Sequence, residues 1–158
     1  MKLEEKLARL LSSRGLTIAV AESCTGGLIS GRITDMAGAS VYFLAGLVTY
    51  SNKAKEAFLS VPPELLADKG AVSREVAEAM AHGVRVATGA DIGLSVTGIA
   101  GPTGGTKEKP VGTVYIGLSA GSDRLSRAYR FDGDRASIRE QTVDEALGVA
   151  LDYLEGAA

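Results

Sequence analysis

Residues 16–36 read Leu-Thr-Ile-Ala-Val-Ala-Glu-Ser-Cys-Thr-Gly-Gly-Leu-Ile-Ser-Gly-Arg-Ile-Thr-Asp-Met, and their pattern changes twice. Residues 16–21 are apolar and partly β-branched, the composition of a short buried strand. Residues 22–27, Glu-Ser-Cys-Thr-Gly-Gly, break that run. Residues 28–36 then return to apolar positions at helical spacing, ahead of Gly38. A strand, a tight loop and a helix in that order make up the repeating unit of an α/β fold.

The flanking sequence extends the pattern in both directions. Leu3, Leu7, Leu10 and Leu11 fall on one helical face with Gly15 placed to end it, which predicts a helix over residues 3–13. Residues 41–50 predict a strand running into a helix over 53–59, capped by Asn52 and stopped by Pro62-Pro63. Ser73 is placed to cap a longer helix, with Val76, Met80, Val84 and Ala87 near one face and Gly89 at its end. Residues 91–97 predict a buried strand, and residues 98–110 a loop rich in glycine and proline. Residues 111–119 and 125–131 predict a hairpin turning at Gly121-Ser122-Asp123, whose Val114, Ile116 and Leu118 face either a helix layer or a partner subunit. A final helix begins near Asp134 and turns Val143, Leu147, Ala150, Leu151 and Leu154 inward. The expected fold class is therefore α/β: a single three-layer α/β/α domain over residues 1–158, with a mixed, mostly parallel sheet and one β-hairpin.

Composition narrows the chemistry. The chain has 158 residues, 46% of them hydrophobic, which suits one core. Seventeen Lys and Arg against nineteen Asp and Glu leave a net charge of −2, so no overall positive field draws it to nucleic acid or an anionic membrane. The first fourteen residues alternate in charge, and no segment approaches the roughly 18 apolar residues of a membrane span. The expected setting is cytoplasmic. One cysteine, Cys24, and one histidine, His82, exclude an internal disulfide and the paired-His zinc sites, so no His/Cys metal site is expected. A Ser-His-Asp mechanism would rest on His82, which falls in the middle of an amphipathic helix.

Four polar or glycine-rich segments, residues 22–27, 50–55, 97–105 and 132–139, each follow a predicted strand, where α/β sheets bind ligands. Ser23, at a strand-to-helix turn, is a candidate nucleophile beside the free N–H groups of a helix start; capping by Ser23 or Thr25 explains the same residues. With no usable histidine, the base for such a serine would be a lysine of lowered pKa. Tyr50 and Lys55 are the pair of interest, although Lys53 and Lys55 also fit a solvated helix face. Residues 97–105 do not match Gly-x-Gly-x-x-Gly, and residues 22–27 lack the lysine of a phosphate-binding loop. Arg135 and Arg139 suit a phosphate or carboxylate, or surface pairing with Asp and Glu.

Taken together, Ala21-Glu22-Ser23-Cys24-Thr25-Gly26-Gly27, Tyr50-Ser51-Asn52-x-x-Lys55, Gly70-Ala71-Val72-Ser73, Val96-Thr97-Gly98-Ile99-Ala100-Gly101-Pro102 and Gly133-Asp134-Arg135 resemble the CinA C-terminal domain family, over essentially the whole chain. Members occur alone or fused to a larger N-terminal domain, and the length resembles the stand-alone form. The resemblance implies a nicotinamide-nucleotide amidase that converts nicotinamide mononucleotide to nicotinate mononucleotide and ammonia, and a homo-oligomer. It places the nucleophile on Ser23 and the base on Lys55, supported by Tyr50 and Thr97, with Ser40 a further polar position near the site, a mechanism that would require no metal and no organic cofactor. Substrate contacts are expected from Glu22, Thr25, Gly26, Gly27, Gly98 and Gly101, and the phosphate would fall to Arg135 or Arg139. Two alternatives stay open: a nucleotide-binding protein without turnover, and a Ser-Lys amidase for another small amide.

Overall fold

The computed structural model describes residues 1–156. In chain order the elements are α1 (Leu3–Arg14), β1 (Ile18–Glu22), α2 (Leu28–Thr34), a 3-10 turn (Ala39–Val41), β2 (Phe43–Val48), α3 (Asn52–Leu59), α4 (Pro63–Lys69), α5 (Arg74–Thr88), β3 (Ile92–Gly98), β4 (Thr113–Ala120), β5 (Asp123–Arg130) and α6 (Arg135–Leu154). One sheet in the order β2-β1-β3-β4-β5 forms the middle layer. β1 pairs in parallel with β2 and β3, while β3–β4 and β4–β5 are antiparallel, so four of the five strands run the same way. This is the expected three-layer α/β/α domain with its mixed sheet and hairpin.

The alternation of side chains along each strand builds two cores. Ile18, Val20, Ile92, Leu94, Val96, Val114, Ile116 and Leu118 meet α1, α2 and α6 on one face. Ala19 and Ala21 meet Leu59, Val76, Met80 and Val84 of α3 and α5 on the other. The apolar hairpin residues therefore face a helix layer.

Helix ends follow their local chemistry. Gly15 and Gly89 close α1 and α5 in the left-handed conformation, and the Ser73 and Asp134 side chains accept from Val76 N and Ser137 N at the starts of α5 and α6. Most boundaries shift by one or two residues, and three differences have a clear local cause. β2 starts late because residues 39–41 form the 3-10 turn. Ser51, rather than Asn52, caps α3, its hydroxyl accepting from Ala54 N at 3.0 Å. Pro63 begins a helix of its own, α4, since the first helical position needs no N–H partner; α3 has already ended at Ser60, a left-handed residue.

What fixes the depth of the second layer is backbone contact. A Cβ on Gly93 would lie 2.0 Å from Ala81 O, and one on Gly117 2.4 Å from Ala77 O, so α5 rests directly on β3 and β4. Ser95 Oγ donates to Ala77 O at 2.5 Å in the same seam. On α5 itself, a Cβ at Gly83 would lie 2.0 Å from Leu59 O of α3. Because the obstacle is backbone in each case, Gly83→Ala must separate α3 from α5. A loss of about 2–3 kcal/mol in unfolding free energy is expected, read from denaturant titration.

Candidate functional site

The carboxyl ends of β1, β2 and β3 finish level. Thr49 N donates to Glu22 O at 2.8 Å, and the β1–β3 register that pairs Ala21 with Ser95 brings Ser23 level with Thr97 two residues on. Alternation then sends Ser23 and Thr97 toward the α3–α5 layer and Glu22 toward α2. Lys55, in the first turn of α3, is 1% exposed and reaches across to this edge. Its Nζ donates to Thr49 O at 2.7 Å, to Tyr50 O at 3.2 Å and to Ser23 Oγ at 3.1 Å.

Among the described residues, no carboxylate bonds to this amine. Burial lowers the Lys55 pKa to about 8, putting the neutral form within reach near neutral pH. A neutral amine has two N–H groups and one lone pair. With the N–H groups on the Thr49 and Tyr50 carbonyls, the lone pair faces the Ser23 hydroxyl, the arrangement a general base needs. Cys24, the neighbouring nucleophile type, is disarmed: burial pushes its thiol up to about 11.

Glu22 has a different role from the substrate contact expected of it. It is fully buried, and its side chain accepts from Thr25 Oγ1 (2.6 Å), Gly27 N (3.2 Å), Ile29 N (3.0 Å), Ser30 N (3.0 Å) and Ser30 Oγ (2.7 Å). It secures the N-terminus of α2, and it takes the Thr25 hydroxyl and the Gly27 amide with it. Gly26 N donates to Ser23 O at 3.1 Å, so this amide too is engaged within the loop. Among the described residues, the Cys24 and Thr25 amides have no backbone acceptor, which leaves them as candidate donors to an oxyanion at Ser23.

The remaining positions divide clearly. Tyr50 is 60% exposed; its carbonyl holds Lys55 and its hydroxyl accepts from Arg135 Nη2 at 3.2 Å. Arg135 Nη1 donates to Gly101 O at 2.8 Å. Arg139 Nε donates to Cys24 O at 3.0 Å and its Nη2 to Thr25 O at 3.1 Å. Thr97 borders the pair, but its hydroxyl donates to Ala71 O at 2.8 Å and so ties the loop ahead of α5 to β3. Gly98 serves the sheet, since a Cβ there would meet Val114 Cγ2 at 2.6 Å. Ser40 is not at this site: it is exposed in the turn before β2, at the opposite end of a strand about 20 Å long. Thr49 was missed from sequence; its hydroxyl is buried beside the pair without a hydrogen-bond partner. His82 lines a separate cavity of about 470 Å³ with Leu59, Pro62, Leu65 and Val86, remote from Ser23 chemistry.

A model of the CinA C-terminal domain matches residues 1–154. The chain belongs to that family. It is 57% identical over 145 residues to a CinA-like protein of Geobacter sulfurreducens, covering 92% of this chain and 35% of that protein. A CinA-like protein of Geobacter sp. strain M21 is 58% identical over 154 residues, covering 97% and 37%. The chain thus spans about a third of the length of these curated relatives. A crystal structure of a competence-damaged protein (CinA) superfamily protein from Klebsiella pneumoniae superposes with a TM-score of 0.94 at 34% identity, covering 98% of this chain and 96% of that one. The competence/damage inducible protein CihA of Agrobacterium tumefaciens does so with a TM-score of 0.90 at 44% identity, covering 97% and 95%.

Within this CinA domain, two contacts carried no sequence signal: Arg139 reaches the loop from 115 residues away, and Lys55 bonds main-chain carbonyls, which no side-chain motif marks. Glu22 had a faint signal, a charged residue closing an otherwise apolar strand. Replacing it tests its structural role. Glu22→Gln places amide hydrogens against the N–H groups of α2 and is expected to cost about 3 kcal/mol in chemical denaturation.

Proposed function

We propose that this CinA-family domain is an amidohydrolase that converts nicotinamide mononucleotide to nicotinate mononucleotide through a Ser23–Lys55 pair. The observation that carries this reading is the 3.1 Å contact between Ser23 Oγ and a buried lysine amine that has no acidic partner among the described residues. An exposed or carboxylate-paired lysine would stay protonated and could not accept a proton.

In the mechanism, neutral Lys55 takes the Ser23 proton as Oγ bonds to the carboxamide carbon. The Cys24 and Thr25 amides face the developing oxyanion. The C–N bond breaks as the Lys55 proton passes to nitrogen, releasing ammonia and leaving an ester on Ser23. Water then adds to the ester carbon and gives a proton to Lys55; the ester C–O bond breaks, Ser23 regains its proton, and the acid departs. The net reaction adds one water to the amide and yields acid plus ammonia. Arg135, exposed at the start of α6 and oriented by Gly101 O and the Tyr50 hydroxyl, keeps Nε and further Nη hydrogens for the phosphate.

Incubation with nicotinamide mononucleotide should release ammonia, with Ser23→Ala abolishing turnover and Lys55→Met lowering it at least about 10³-fold. Free nicotinamide, lacking the phosphate, should be turned over far more slowly. Nucleotide that raises the Tm without any ammonia release would make the protein a binding module, and full activity in Ser23→Ala would remove the nucleophile. The sign of the pH dependence follows from Lys55: the active form is the neutral amine, so kcat/KM should rise with pH through an apparent pKa of about 8 and level off above it.

A further inference from the structure

Arg139 is placed where a substrate arginine would be expected, four residues after Arg135 on the same face of α6, yet its guanidinium is turned onto the protein. Nε and Nη2 grip two consecutive carbonyls, Cys24 O and Thr25 O, immediately after Ser23. Gly26 makes room for it: a Cβ at that position would stand 3.2 Å from Nη2.

The consequence follows from the peptide unit. In a trans peptide the C=O and the N–H of the next residue point in opposite directions and share one conjugated system. The carbonyl of Cys24 belongs to the same unit as the amide of Thr25. A cation donating to that oxygen turns the Thr25 N–H away from α6 and draws electron density from it, making it a stronger donor. The adjacent unit is treated likewise by a neutral group: Ser23 O accepts from Gly26 N, and the amide of that unit is Cys24 N–H. Both amides without a backbone acceptor are therefore held from behind, one of them by a full positive charge.

We infer that Arg139 is a positioning residue that acts through the backbone, orienting and polarising the Thr25 amide toward an oxyanion formed at Ser23, and that it does not bind the substrate phosphate. The inference rests on Ser23 being the nucleophile, and it separates the two arginines: Arg135 faces the ligand, Arg139 faces the loop.

The test uses the intact chain with two readouts: steady-state hydrolysis of nicotinamide mononucleotide, and the rate at which a fluorophosphonate ester labels Ser23. The second needs an oxyanion site but no nucleotide. Arg139→Ala is expected to lower kcat about 10²-fold with KM changed less than about threefold, and to slow labelling by a similar factor. Arg139→Lys should recover part of the loss, and added guanidinium ion should raise kcat of Arg139→Ala, which a collapsed loop would not allow. Arg135→Ala should show the opposite split, a raised KM with labelling unchanged. A raised KM in Arg139→Ala with normal labelling would overturn the inference in favour of a phosphate contact; a lowered Tm with normal kcat would overturn it in favour of a purely structural role. If the wild type labels at Ser23 but leaves nicotinamide mononucleotide untouched, the substrate assignment fails and the labelling rates still decide the role of Arg139. If Ser23 does not label and nothing is hydrolysed, both fail together.

Discussion

The working parts of this domain depend on how closely α5 lies against the sheet. Gly93 and Gly117 let its backbone touch β3 and β4, and Gly83 lets α3 touch α5 in turn. These two contacts set the depth of α3, and with it the point that Lys55 can reach. A layer of larger side chains at any of the three positions would lift α3 outward. The Lys55 amine would then meet water instead of the Thr49 and Tyr50 carbonyls. Glycines that look like gaps in the apolar pattern thus define how closely Lys55 approaches Ser23.

Burying an amine without a carboxylate is thermodynamically unfavourable, and that is what makes it useful. The folded state holds Lys55 at a pKa of about 8 where the ordinary value is 10.5. The fold therefore bears the full penalty below about pH 8, and the penalty is relieved as pH rises through that window toward 10.5. Carbonyls are the right partners for this purpose: they satisfy the N–H groups of either protonation state and do not favour the charged one as strongly as a carboxylate would. The penalty is supported by rigid surroundings, with Glu22 fixing the start of α2 through five hydrogen bonds and Arg139 fixing the loop from the opposite side.

Much of this was legible in the chain. Strand-to-helix transitions at Glu22–Gly27 and the caps at Ser73 and Asp134 pointed to an α/β domain with polar segments at its strand ends, and the scarcity of histidine made a lysine the candidate base. The parts that stayed hidden share a cause. Lys55 and Lys53 are indistinguishable by local spacing, since only the tertiary fold decides that Lys55 is buried and Lys53 exposed. Arg139 looked like a ligand residue because arginine chemistry suits anions and peptide carbonyls alike. Ser40 was placed near the site by the family resemblance alone, and a strand length separates it from Ser23 within this chain. α4 was obscured by two prolines, which end helices and begin them equally well.

The contacts that shape the Ser23 loop differ greatly in sequence range. Those made by Glu22 span only three to eight residues, whereas Lys55 joins Ser23 from 32 residues away and Arg139 joins the loop from 115. In a chain synthesised from its N-terminus, the Glu22 contacts around Ser23 come from neighbouring residues, whereas the Lys55 contact waits for α3 to dock and the Arg139 contact for α6 to be complete. The full set of contacts around Ser23 is assembled only when α6 has closed over the sheet, so an intact site reports on the finished fold.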